Sequence, residues 1–176
     1  DLHLQRQWDD LVVGTFGRGI FILDDYSALR DVSAESMAKD ATLFRIRPTP
    51  LFEERSQVQA VWGDKVEPNP PFGATLTYHL RSALPKGERP VLTITDAEEQ
   101  AVRLIRLRNE PGVHRVTWDL RRGDLRRGRA QGRRRRSQPG ALVDIGRYRA
   151  QLGRLSDGAV TPLGEAQTVR VVPLER

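Results

Sequence analysis

Cysteine is absent from this 176-residue chain. That removes disulfides, thiolate metal sites and thiol nucleophiles together, and leaves packing and backbone pairing to hold the fold. Histidine is scarce. His3, His79 and His114 stand far apart with no ligand-type spacing, so a zinc site is not expected and three surface or half-buried imidazoles are. No apolar run approaches the roughly 20 residues that cross a bilayer, so no membrane span is expected. The first residues also lack the charged, apolar and small-residue order of a signal peptide. No Ser or Thr lies in a nucleophile elbow and no His in a triad context. The expectation is a chain without catalytic residues, metal or cofactor. Asp1 in place of Met marks it as processed or as a piece of something longer.

Charge is present but uneven. The formal net charge is +6, yet nine Arg and one Asp between Arg121 and Arg136 give that stretch +8 and leave the other 160 residues at −2. The body is slightly acidic, and the basic character belongs to one loop.

Short apolar runs with β-branched and aromatic residues dominate the rest. Leu2-His3-Leu4 alternates. Leu11-Val12-Val13 and Ile20-Phe21-Ile22-Leu23, joined across Phe16-Gly17-Arg18-Gly19, read as an antiparallel hairpin. Each of these strands is apolar on both faces, the pattern of a strand buried between layers. Ser33 predicts a helix N-cap for a turn or two of helix, with Glu35 near its positive end. Residues 41–47 look extended, and 48–71 have prolines, scattered charge and no period, which reads as linker. From Gly73 onward, six to seven strands separated by turn residues have the spacing of a sandwich. The strands are 73–80, 91–96, 101–107, 113–120, 146–152 and 167–172, with Asp157-Gly158 as a hairpin turn.

Two segments carry a resemblance. Residues Asp10 to Asp25 are similar to the closing blade of large bacterial β-propeller proteins with sialidase-type Asp-box repeats, of the sortilin-like or glycosyl hydrolase-like kind. Val91–Asp96, Val113–Leu120 and Gly146-Arg147-Tyr148 with Leu152 resemble the immunoglobulin-like module of flagellar hook-capping proteins and many secreted enzymes. In that comparison Glu99 stands where a turn glycine is expected, which predicts a wider hairpin, and Asp144-Ile145 replaces a proline-rich approach to Gly146.

The fold implied is all-β: residues 1–30 as the remnant of a last propeller blade, 31–72 as linker with a short helix and one extended segment, and 73–176 as an immunoglobulin or fibronectin III-like β-sandwich with an Arg-rich loop at 121–140. The resemblance implies an extracellular or periplasmic parent whose propeller cleaves or binds glycans or peptides. This chain is then a non-catalytic accessory module whose partner is the upstream propeller of the same parent.

Other features weigh less. Gly14, Gly17 and Gly19 form G-x-x-G-x-G before a strand, which reads as a hairpin turn, not a phosphate loop. The carboxylate pairs Asp9/Asp10, Asp24/Asp25, Glu53/Glu54 and Glu98/Glu99 point to opposite faces of a strand and read as solvated strand ends. Trp118 reads as sandwich core and Trp62 as linker packing. Arg122-Gly123-Asp124 spells an adhesion tripeptide that an Arg- and Gly-rich stretch produces by chance. The candidate anion-binding set is Arg126, Arg127, Arg129, Arg133, Arg134, Arg135 and Arg136. It would take a sulfated glycan or an acidic surface, while the lack of interleaved aromatics disfavours nucleic acid. Against it stands the ordinary behaviour of such runs, a solvated insertion.

Overall fold

The computed structural model describes residues 1–6, 9–52, 71–123 and 140–174. These residues are mostly strand with almost no helix, so the chain is all-β. In chain order the strands are β1 (Leu2–Gln5), β2 (Asp10–Gly14), β3 (Ile20–Leu23), β4 (Ala41–Leu43), β5 (Thr49–Leu51), β6 (Ala74–Leu80), β7 (Arg89–Thr95), β8 (Ala101–Arg106), β9 (Gly112–Trp118), β10 (Gly146–Ser156), β11 (Ala159–Pro162) and β12 (Gln167–Pro173). A 3-10 turn, Ser27–Asp31, and the helix α1 (Ala34–Ala38) lie between β3 and β4. Ser33 caps α1 as the sequence predicts, and it does so reciprocally with Ser36: each hydroxyl accepts from the other's backbone N–H.

Period-two patterning builds two sheets with a common core. Along β6, Ala74, Leu76, Tyr78 and Leu80 share one face, and all four are buried. Along β10 the same holds for Tyr148, Ala150 and Leu152. The smaller sheet runs β4-β6-β9 and the larger β5-β12-β10-β7-β8, with β11 folding back on β10. Their facing sides supply one cluster that includes Leu76, Leu92, Ile94, Trp118, Leu152 and Val169. Each large apolar side chain taken fully out of water contributes about 1.5–3 kcal/mol, which lets the fold hold without cross-links.

Two strands come from before the region read as sandwich: β4 lies in the segment 41–47 that looks extended, and β5 in the stretch 48–71 that reads as linker. β4 pairs antiparallel with β6, and β5 runs parallel to β12 at the sheet edge. Three residues are too few to show a period, and Pro50 within β5 is tolerated because an edge strand leaves one side without ladder bonds. The Asp157-Gly158 turn forms as expected, with φ of 49° and 82° between paired Ser156 and Ala159, a type I′ hairpin. It leads into β11, which the sequence pattern did not separate from the loop before β12.

Backbone conformation is demanding at several places, of which Glu99 and Gly73 give clean tests. Glu99 takes a φ of +60° in the five-residue connection between Thr95 and Ala101, closed by the Asp96 N–H on the Gln100 carbonyl. Gly73 has φ +126°, and a Cβ there would stand 2.0 Å from the Trp118 carbonyl oxygen. Gly73→Ala is expected to lower stability by about 3 kcal/mol, or roughly 6–12 °C in thermal midpoint for a chain of this size. Glu99→Gly should move it the other way by about 1 kcal/mol, because glycine enters that region freely. Calorimetry of the two variants beside the parent checks both signs.

Candidate interaction surface

The N-terminal sheet, in the order β1-β2-β3, departs from the layered burial that its apolar strands suggest. None of its residues is buried, and every residue of β3 is exposed. The register explains what is on view. Leu2 lies opposite Val13 and Leu4 opposite Leu11, while Val13 and Leu11 lie in turn opposite Phe21 and Leu23. Directly opposite residues share a face, so Leu2, Leu4, Leu11, Val13, Phe21 and Leu23 make one face that is apolar throughout. The other face mixes His3, Gln5 and Asp10 with Val12, Ile20 and Ile22. Contiguous apolar surface of this kind marks an interface.

A polar junction fixes this sheet to the larger body. Asp9, Asp10 and Asp25 sit at the ends of β2 and β3. The Asp25 N–H donates to Asp10 Oδ1 at 2.9 Å, and the Ser27 hydroxyl donates to Asp25 Oδ1. Arg47, between β4 and β5, reaches Asp10 and Asp25 at 3.5 Å each. Arg115 of β9 donates from Nη1 to the Asp24 carbonyl at 2.7 Å and from Nη2 to the Asp25 carbonyl. Arg30 lies 3.0 Å from Asp9, over the Tyr26 ring, and donates to the Tyr26 hydroxyl. That hydrogen bond, outweighing desolvation, and then the Asp9 charge hold the Arg30 guanidinium above its usual pKa.

The pairs Asp9/Asp10 and Asp24/Asp25 are therefore not simply solvated strand ends. Asp25 is only 5% exposed. A carboxylate in that position requires its Arg partner, since stripping one member from a buried pair costs about 3–5 kcal/mol. Nothing in the sequence spacing joins Asp25 to Arg47 or Arg115. The available signal was the placement of paired Asp residues where two apolar strands stop.

The same segment covers the outer face of the smaller sheet. Thr77 and His79 point away from the core that Tyr78 and Leu80 enter, yet both are buried. Arg115, opposite Thr77, brings Asp24 and Asp25 over that side, and the Thr42 hydroxyl, from the residue opposite His79, donates to the Ser36 carbonyl of α1. His79 is thus not a surface or half-buried imidazole. It is 4% exposed with no hydrogen-bond partner at Nδ1, and desolvation first, then the charge of His114, push its pKa below 6.5.

The candidate anion-binding residues Arg126, Arg127, Arg129, Arg133, Arg134, Arg135 and Arg136 lie outside the described residues, as do Asp124 and Trp62. Only the base of their loop is described, and it is pinned. Arg121 bridges Leu142, the Arg122 N–H donates to Ala141 and the Val143 N–H to Leu120. Arg121 Nη1 donates to the Gly140 carbonyl at 3.0 Å, and Arg122 lies 3.7 Å from Asp96. Gly140 is required, since a Cβ would stand 1.8 Å from the Arg122 carbonyl oxygen. Trp118 is a core residue, fully buried against Tyr148.

Two open clefts lie on the described surface. One, about 320 Å³, lies between α1, β4 and the turn before β12, and its charges pair internally as Lys39 with Glu165 and Arg45 with Asp31. The other, about 460 Å³, runs past Pro85 and Leu107, where the Asn109 side chain is spent on both backbone groups of Leu84. Among the described residues no helix is long and apolar enough to cross a membrane.

Arg115→Ala should leave the midpoint of the two-sheet body within about 1 kcal/mol, as expected for an exposed side chain. It should also raise amide exchange in β2 and β3 about tenfold or more, since charge-assisted hydrogen bonds contribute about 1.5–3 kcal/mol. Arg103→Ala, remote from the junction, serves as the control. His79 should contribute acid sensitivity. Its folded pKa lies below the unfolded one, so stability is complete above pH 6.5 and falls as pH drops through and below that value. Thermal midpoints of the parent should decline between pH 7 and pH 5.5, and His79→Gln should flatten that decline. Comparison of the chain with protein-family models, with curated proteins and with solved structures finds no match.

Proposed function

We propose that the chain is a non-catalytic accessory module of an exported β-propeller protein. In this reading β1-β2-β3 belongs to the propeller's last blade, and the two-sheet body is an immunoglobulin-like sandwich that caps or spaces it. The observation that carries the reading is the wholly apolar face of Leu2, Leu4, Leu11, Val13, Phe21 and Leu23, left uncovered among the described residues. Blades of a propeller pack such faces against one another, so the partner is the sheet of a neighbouring blade in the same parent. A glycan or protein ligand would belong to the parent's propeller.

Two further features support the sandwich half of the reading. The chain changes sheet after β4, β5, β6, β8 and β9, so that β4-β6-β9 faces β8-β7-β10-β12-β5, an arrangement that fits a Greek-key sandwich. Tyr148, early in β10, donates its hydroxyl to the Asp144 carbonyl at 2.8 Å, the contact of a tyrosine corner.

Deleting residues 1–23 tests the proposal. The cut removes Asp9 and Asp10 from the junction but spares Asp24, Asp25 and every strand of the two-sheet body. The shortened chain should show less light scattering at equal concentration and keep its thermal midpoint. Equal scattering from the two chains would remove the exposed face as a docking surface.

A further inference from the structure

The outward face of the larger sheet carries charge that the fold does not use. Along β10, Tyr148, Ala150 and Leu152 enter the core, so Arg147, Arg149 and Gln151 point the other way. Along β12, Val169 and Val171 enter it, and Thr168 and Arg170 point out. The register sets Arg147 directly opposite Arg170. It sets Arg149 opposite Thr168 on one side and opposite Thr95 of β7 on the other. Opposite residues share a face, and diagonal ones such as Arg149 and Arg170 stand about 7–8 Å apart, so the guanidinium groups rise from one patch.

These three arginines are exposed, and among the described residues their side chains have no ion pair or hydrogen bond. Other exposed arginines of the same body stand beside carboxylates: Arg45 by Asp31, Arg81 by Asp40 and Arg154 by Glu88. Here none is within reach along the sheet, because β7, β10 and β12 contain no acidic residue. Like charges directly across a ladder oppose its pairing. The core beneath, with Tyr148 and Val169, holds the strands together in spite of Arg147 and Arg170. A cost with no return inside the chain points to a use outside it.

We propose that this face binds a sulfated polysaccharide. The guanidinium fork matches an oxyanion such as sulfate with two parallel hydrogen bonds. Thr95 and Thr168, beside Arg149, supply hydroxyls for the sugar. Neither cleft includes the three arginines, so the ligand lies along the face. Residues two apart on a strand repeat every 6–7 Å or so, which presents regular charge to an extended polyanion. Other anionic partners lack their contacts here. No aromatic side chain points outward from β7, β10 or β12 to stack a base. No large apolar side chain is exposed within these strands to enter a bilayer or to form the dry centre of a protein interface. The patch belongs to the two-sheet body, so it does not rest on the propeller reading, and its residues are separate from the Arg-rich loop at 121–140.

Heparin is the probe. Calorimetric titration of the full chain with heparin should show binding that weakens steeply as salt rises. Arg147→Thr/Arg149→Thr/Arg170→Thr keeps β propensity and should weaken binding about tenfold or more, with a flatter salt dependence. Arg6→Ser/Arg18→Ser/Arg81→Ser removes the same charge from other exposed positions and should change binding by less than about threefold. The difference between these variants should persist when Arg133, Arg134, Arg135 and Arg136 are all changed to Ser. The thermal midpoint of the first variant should equal or exceed that of the parent, because it relieves repulsion without touching the core. A lower midpoint would show that the arginines serve the fold, and would overturn the proposal. So would a chain that does not bind heparin at low salt, equal losses in the two triple variants, or binding abolished by the loop changes alone. Undiminished binding of desulfated heparin would overturn it as well, as would equally tight binding of single-stranded DNA or of phosphatidylserine vesicles at the same salt.

Discussion

Trp118 and Tyr148 meet edge to face with ring centroids 5.4 Å apart, and one end of the two-sheet body is organised around that contact. Trp118 closes β9 and belongs to the smaller sheet, while Tyr148 opens β10 and belongs to the larger one, so the pair joins the sheets where the chain crosses between them. Each ring also fixes backbone. The Trp118 indole donates to the Arg121 carbonyl at 3.1 Å, and the Tyr148 hydroxyl to that of Asp144. Burial raises the Tyr148 pKa, with Arg122 partly offsetting it, which keeps the phenol a neutral donor. Gly73 enters β6 against the Trp118 carbonyl, at a distance no side chain would allow. The start of β6, the exit of β9, the loop base and the approach to β10 thus depend on two aromatic residues.

The opposite principle governs the N-terminal sheet. Its strands contribute no fully buried residue, so its attachment depends on ionic and backbone contacts from Arg30, Arg47 and Arg115. Such contacts fix position and orientation without consuming apolar surface. They are also unforgiving where the carboxylate is enclosed, as at Asp25, and weak where both partners are wet. A body held by packing therefore presents a small sheet held by charge. The sheet keeps its leucine face and its β3 rim in view because the contacts that secure it lie at the strand ends.

The sequence by itself determined the all-β character, the strands from β6 onward other than β11, the capped helix, the Asp157-Gly158 turn and the core role of Trp118. Each is written in local terms: a period of two, a capping serine, a turn dipeptide that tolerates positive φ, a large apolar ring within a strand. Only the tertiary structure decided that β4 and β5 join the sheets, because strands of three residues take their identity from the neighbour they pair with. It also decided that Asp25 and His79 are enclosed, and that the apolar strands of the first sheet lie open. Burial is a property of what covers a residue, and for Asp25 the cover comes from partners distant in the chain, Arg47 and Arg115.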